Sequence, residues 1–207
     1  MNGLSLSWCP NFGTVYTWYA MDKFGRISQL VNNCWGDIPK SVLAVNNVEL
    51  LLDSLTEYFW GESDIAYSKT EDKKGDFMVD LYDYWLTGRH TSDSQHLRKK
   101  LIYNYGLHDE TTKSSQDIHV VMHKGLFIYH AVEGTAEGED YPVGYERPTK
   151  MGDYFRYLVP TAYGSIEDIP VDLRGVIAVS STLDFTVDRL LDNSNINFSF
   201  PKVYEPA

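Results

Sequence analysis

Val15-Tyr16-Thr17-Trp18-Tyr19-Ala20-Met21, Asp22-Lys23-Phe24-Gly25 and Arg26-Ile27-Ser28-Gln29-Leu30-Val31 form the stretch that decides the fold class. The first arm is β-branched and aromatic, the middle supplies turn chemistry ending on Gly, and the last arm alternates polar with apolar side chains. That combination predicts a β-hairpin. Asn32 to Pro39 then reads as a loop, punctuated by Gly36 and Pro39.

Past the hairpin the period changes to that of a helix. Val48, Leu51, Leu52, Leu55 and Phe59 recur at spacings of three and four, Asn46 or Asn47 can cap the segment, and Gly61 can end it. Glu71 to Gly75 has no apolar period and reads as an exposed loop. A second helix is expected from a cap at Asp76 to about Gly88, with Phe77, Leu81, Tyr84 and Trp85 on its apolar stripe. A third is expected from about Ser92 to Tyr105, closed by Gly106. Ile118 to Met122 and Leu126 to Val132 read as two strands of a second hairpin around His123-Lys124-Gly125. Glu133 to Lys150 is loop-like, Tyr154 to Val159 is a strand closed by Pro160, and Ile196 to Phe200 alternates as a last strand.

Blocks ordered hairpin, helices, strands favour an α+β fold over an alternating one. The expectation is one domain over residues 1–207, an antiparallel β-sheet of hairpins with a layer of about three helices packed on it. The helical segment, about 46–105, lies between the β-rich parts.

Lys plus Arg number 18 and Asp plus Glu 29, a formal net charge of −11. Nucleic-acid binding draws its affinity from basic side chains on phosphates, and an anionic membrane surface would repel such a chain. Neither partner is expected. A basic protein would be attracted, and its encounter accelerated. Aromatic residues make up 14% of the chain, which excludes a disordered composition. Only Cys9 and Cys34 could form a bridge, the N-terminus has no secretion-signal pattern, and no apolar run approaches a membrane span. A cytoplasmic protein with reduced thiols is expected.

Catalytic templates are missing: no G-x-S-x-G, P-loop, dinucleotide fingerprint or H-E-x-x-H occurs. His119, His123 and His130 could supply a metal site with Asp117, the basis of an alternative reading as a small hydrolase or metal-dependent enzyme. Their spacing matches no zinc pattern, and ordinary strand and turn residues are the stronger reading. Cys34 has no companion that would activate a thiol. No cofactor and no enzymatic activity are expected.

The placement of acid is more informative. Glu49, Asp53 and Glu57 fall at i, i+4 and i+8 of the first helix, and Asp76, Asp80 and Asp83 at i, i+4 and i+7 of the expected second one, beside Tyr82 and Tyr84. No Lys or Arg occurs from Ser41 to Asp64. Like charges at helical spacing repel, so a helix shaped for stability alone more often alternates signs. A solvated face is the plain reading; a surface that meets something basic is the functional one. Glu137 and Asp140, in the acidic loop, form a further candidate patch.

The hairpin also carries a resemblance. Trp18-Tyr19-Ala20-Met21-Asp22-Lys23-Phe24-Gly25-Arg26-Ile27, followed by Gly36-Asp37-Ile38-Pro39, resembles the start of a group of bacterial proteins that accompany polymorphic toxins. These include the immunity proteins of contact-dependent growth inhibition systems. The resemblance covers about 25 residues of the 207 and implies an antitoxin-type protein that binds one cognate toxin domain, often a nuclease with a basic active face. A regulatory or scaffold module with no toxin partner is the remaining alternative.

Overall fold

A computed structural model of the chain describes residues 3–63, 71–80, 94–106, 113–134 and 149–205. The hairpin forms where expected, as β1 (Thr17–Met21) and β2 (Ile27–Val31), paired antiparallel from Thr17↔Val31 to Met21↔Ile27. Asp22 closes it. Its buried carboxylate accepts the backbone N–H groups of Phe24 at 2.9 Å and Arg26 at 3.0 Å, and Gly25 takes φ +81°, where a side chain would be strained. Arg26 then reaches Asp184 at 2.7 Å and tethers the turn to the C-terminal part of the chain.

Two helices follow, the short α1 (Lys40–Leu43) and α2 (Val48–Trp60), the second ending at Gly61 as the periodicity predicts. β3 (Phe77–Val79), α3 (Ser94–Gly106) and α4 (Lys113–His119) come next, and α4 continues as a π-helical turn, Val120–Lys124. β4 (Phe127–Ala131), β5 (Tyr154–Pro160), α5 (Val171–Arg174), β6 (Ala178–Val179), β7 (Leu190–Leu191), α6 (Ile196–Ser199) and β8 (Lys202–Val203) complete the described chain. The strands make one eight-stranded sheet in the order β3-β5-β4-β2-β1-β6-β8, with β7 also on β5. The fold is α+β, with helices packed on a sheet.

The sheet is mixed where an antiparallel one was expected: β1 pairs parallel with β6, and β2 parallel with β4. Those pairings need crossovers, which the intervening helices supply. Both faces are covered, so β2 and β4 are buried at every position. On one face Tyr19 packs on Phe59 of α2, with ring centroids 5.0 Å apart. On the other, Trp18 meets Tyr154 and Phe200 edge-on and donates its indole N–H to the Tyr154 hydroxyl at 2.9 Å. Gly36 is required by that cluster, since a Cβ there would lie 2.5 Å from the Tyr154 ring.

Three local expectations are corrected. The helix expected from Asp76 begins as strand β3, whose Phe77 is buried and Met78 exposed; pairing with β5 imposes the period of two. Residues 81–88 lie outside the described residues. The strand expected at Ile118–Met122 is helical: Ile118, Val120 and Val121 are all fully buried, a width of apolar face that a half-buried strand lacks. Its β-branched residues follow tertiary burial over intrinsic preference. The last expected strand is helix α6, where Ile196 and Phe200 are buried four apart and Phe198 points outward.

Candidate functional site

Helix α2 sorts its side chains by the pattern that made it legible. Val48, Leu52, Leu55, Tyr58 and Phe59 are buried, while Glu49, Asp53 and Glu57 are exposed one turn apart. Among the described residues no cation pairs with any of the three. The Lys and Arg side chains that make ion pairs turn to Asp22, Asp72, Asp76, Asp80, Glu167, Asp168 and Asp184. Partial desolvation, then the charges of Glu49 and Glu57, hold the Asp53 carboxyl above its usual range. Desolvation, then Glu49 and Asp53, likewise raise the Tyr16 hydroxyl. Trp8 meets Tyr16 edge-on at 5.7 Å, and the Leu4 N–H donates to Glu49 Oε2 at 3.1 Å, so the N-terminal segment lies across the start of the helix. Asn47 occupies the cap position in a left-handed conformation, φ 56°, with no side-chain hydrogen bond to the first turn. The capping anticipated for Asn46 or Asn47 is therefore absent there.

The second expected stripe does not lie on a helix where it is described. Asp76 and Asp80 flank strand β3, each held by arginine. Asp76 accepts the backbone N–H of Phe77 at 2.7 Å and both Oδ atoms take Arg98 Nη2, which together keep its carboxyl below the usual range. Asp80 is nearly buried between two guanidinium groups, Arg156 at 2.8 Å and Arg189 at 2.6 Å. Its carboxylate ties the end of β3 to β5 and to the residue before β7. Tyr82, Asp83, Tyr84, Glu137 and Asp140 lie outside the described residues.

The three histidines of the metal alternative are not brought together. His119 and His123 are neighbours on the helical turn, with ring centroids 4.8 Å apart. Burial, His123 and Lys124 hold His119 below the usual histidine range. His130 sits on β4 within the core, where its Nε2 meets Asp117 Oδ2 at 3.1 Å; Asp117 Oδ1 accepts from Gln29 Nε2 at 3.0 Å. Both members of the pair are about 4% exposed. Among the described residues no group of three or more His, Cys, Asp or Glu side chains is placed to hold a metal ion.

Sequence reasoning missed the apolar surroundings of the α2 acids, above all Leu6 and Leu50, both exposed. Leu50 follows Glu49 within an otherwise amphipathic pattern and was the available signal. Nothing local foretold the arginines on Asp80, which lie 76 and 109 residues away.

Comparison with known protein families, curated proteins and solved structures gives no match. Among the described residues no helix is long and apolar enough to cross a membrane.

Proposed function

We propose that this chain is an immunity-type protein that binds and neutralises a basic toxin domain in the cytoplasm, with the acidic face of α2 as its contact surface and without catalysis. The observation that carries the reading is the row Glu49, Asp53 and Glu57, exposed one turn apart with no cation paired to it among the described residues; partial desolvation, then the charges of Glu49 and Glu57, raise the Asp53 carboxyl. Such a row costs the isolated protein stability, and a cationic partner relieves that cost on binding. The net charge of −11 adds a long-range field that speeds the encounter.

A nuclease domain fits as the toxin, because a surface that grips phosphates is necessarily basic. The hairpin resemblance supports the same class, although Trp18, Tyr19, Ala20, Asp22 and Ile27 are buried and build the fold, leaving contact to other residues.

The experiment is co-expression with the protein encoded by the adjoining reading frame. The expected outcome is that this neighbour arrests growth alone, that the chain restores growth, and that the purified pair forms a stoichiometric complex weakened by salt. A neighbour that is harmless, or that shows no complex at low salt, refutes the reading.

A further inference from the structure

The start of α2 is bordered by an open groove of about 560 Å³. Its walls include Leu4 and Leu6 of the N-terminal segment, Val45 of the α1–α2 connection, and Glu49 and Leu50 of α2 itself. Leu6 is 58% exposed and Leu50 65%, so two large apolar side chains border one concavity with most of their own surface open. The concavity runs directly into the acidic row, since Glu49 belongs to both. Leu6 and Leu50 share these walls with Ser5, Asn46 and Asn47, and Glu49 sets a charge on one side; exposed apolar side chains beside charges are an arrangement found in protein contacts, where an anchor inserts and the charges set orientation.

We infer that this groove seats an apolar side chain of a basic partner segment, while Asp53 and Glu57 take the Lys or Arg residues that flank it. The inference rests on the reading of α2 as the binding face and adds to it the chemistry of the segment recognised: cationic and amphipathic, with an aliphatic or aromatic anchor. Charge complementarity selects the occupant. An acidic segment would be repelled by Glu49, Asp53 and Glu57 as it approached, an uncharged one would leave those carboxylates unpaired, and a purely cationic one would leave the groove unfilled. Neither leucine bears on the core, so the anchor contact can be removed without unfolding the chain.

The test uses the full chain and two synthetic probes of equal charge: an amphipathic leucine–lysine helical peptide and an oligolysine. Binding is followed by NMR titration at low salt. The amphipathic peptide is expected to bind at least about tenfold tighter, the scale of burying one apolar side chain, with the largest shifts at residues 4–6 and 45–53. L6S/L50S is expected to bring its affinity down to the oligolysine value and to leave oligolysine binding unchanged; D53N/E57Q is expected to weaken both. Equal affinity for the two probes, or an L6S/L50S variant that still prefers the amphipathic one, overturns the groove. In that event oligolysine binding that D53N/E57Q removes still supports the α2 face. Oligolysine binding that D53N/E57Q leaves intact overturns both.

Discussion

Replacing Asp53 with Asn should stabilise the folded chain while weakening the complex it forms. Asp53 stands between Glu49 and Glu57 on an exposed helix face with no cation among the described residues to offset it. Each like-charge pair at this spacing costs about 0.2–0.5 kcal/mol, and solvent screening favours the lower half of that range. Asn removes both pairs and matches Asp in size and, within a few tenths, in helix propensity. The expected gain is about 0.4–0.7 kcal/mol, or about 1–3 °C in Tm for a domain of this length. The sign with pH follows from the raised carboxyl of Asp53. A carboxyl with a higher pKa folded than unfolded contributes favourably below the unfolded value, about 3.9, and loses that contribution as pH rises through the folded value. The advantage of the variant should therefore be absent near pH 3.5, complete by neutral pH, and reduced at high salt. Thermal denaturation of both proteins at the two pH values and two ionic strengths measures this. A D53N protein less stable than the parent at pH 7, or a gain as large at pH 3.5 as at pH 7, refutes the reasoning.

Asp80→Asn should act oppositely, because it leaves the Arg156 and Arg189 guanidinium groups facing each other without their shared carboxylate; a loss of about 2–4 kcal/mol in urea denaturation is expected. Gly36→Ala should cost about 1–3 kcal/mol by pressing on the Tyr154 ring, with a change in Trp fluorescence as the Trp18–Tyr154 hydrogen bond is disturbed. Asp117→Ala strands Gln29 and His130 in the core and should cost about 2–4 kcal/mol, while stoichiometric metal in the purified protein would contradict the structural role given to His130.

What could be read from sequence was what local chemistry determines. The hairpin was legible because Asp22 and Gly25 make a turn by themselves, and α2 because its buried face repeats without interruption up to Gly61. The failures share a cause. Phe77-Met78-Val79 and Ile118 to Met122 are short apolar runs that suit strand or helix alike, and their outcome was set by distant partners, β5 for the first and the buried core for the second. Parallel pairing of β2 with β4 joins residues about a hundred positions apart, beyond any local pattern. The candidate site divided along the same line. Exposure of Glu49, Asp53 and Glu57 followed from helical period alone, whereas the neutralisation of Asp76 and Asp80 depended on Arg98, Arg156 and Arg189, which only the fold brings near.

The central claim is that the α2 face meets a basic partner, and association kinetics test it most directly. The parent and the D53K/E57K variant should be compared for binding to the protein encoded beside this chain, across a range of ionic strengths. The account predicts that the variant associates at least about tenfold more slowly at low salt, and that the difference shrinks as salt rises. Equal association rates for the two proteins at every ionic strength would contradict it.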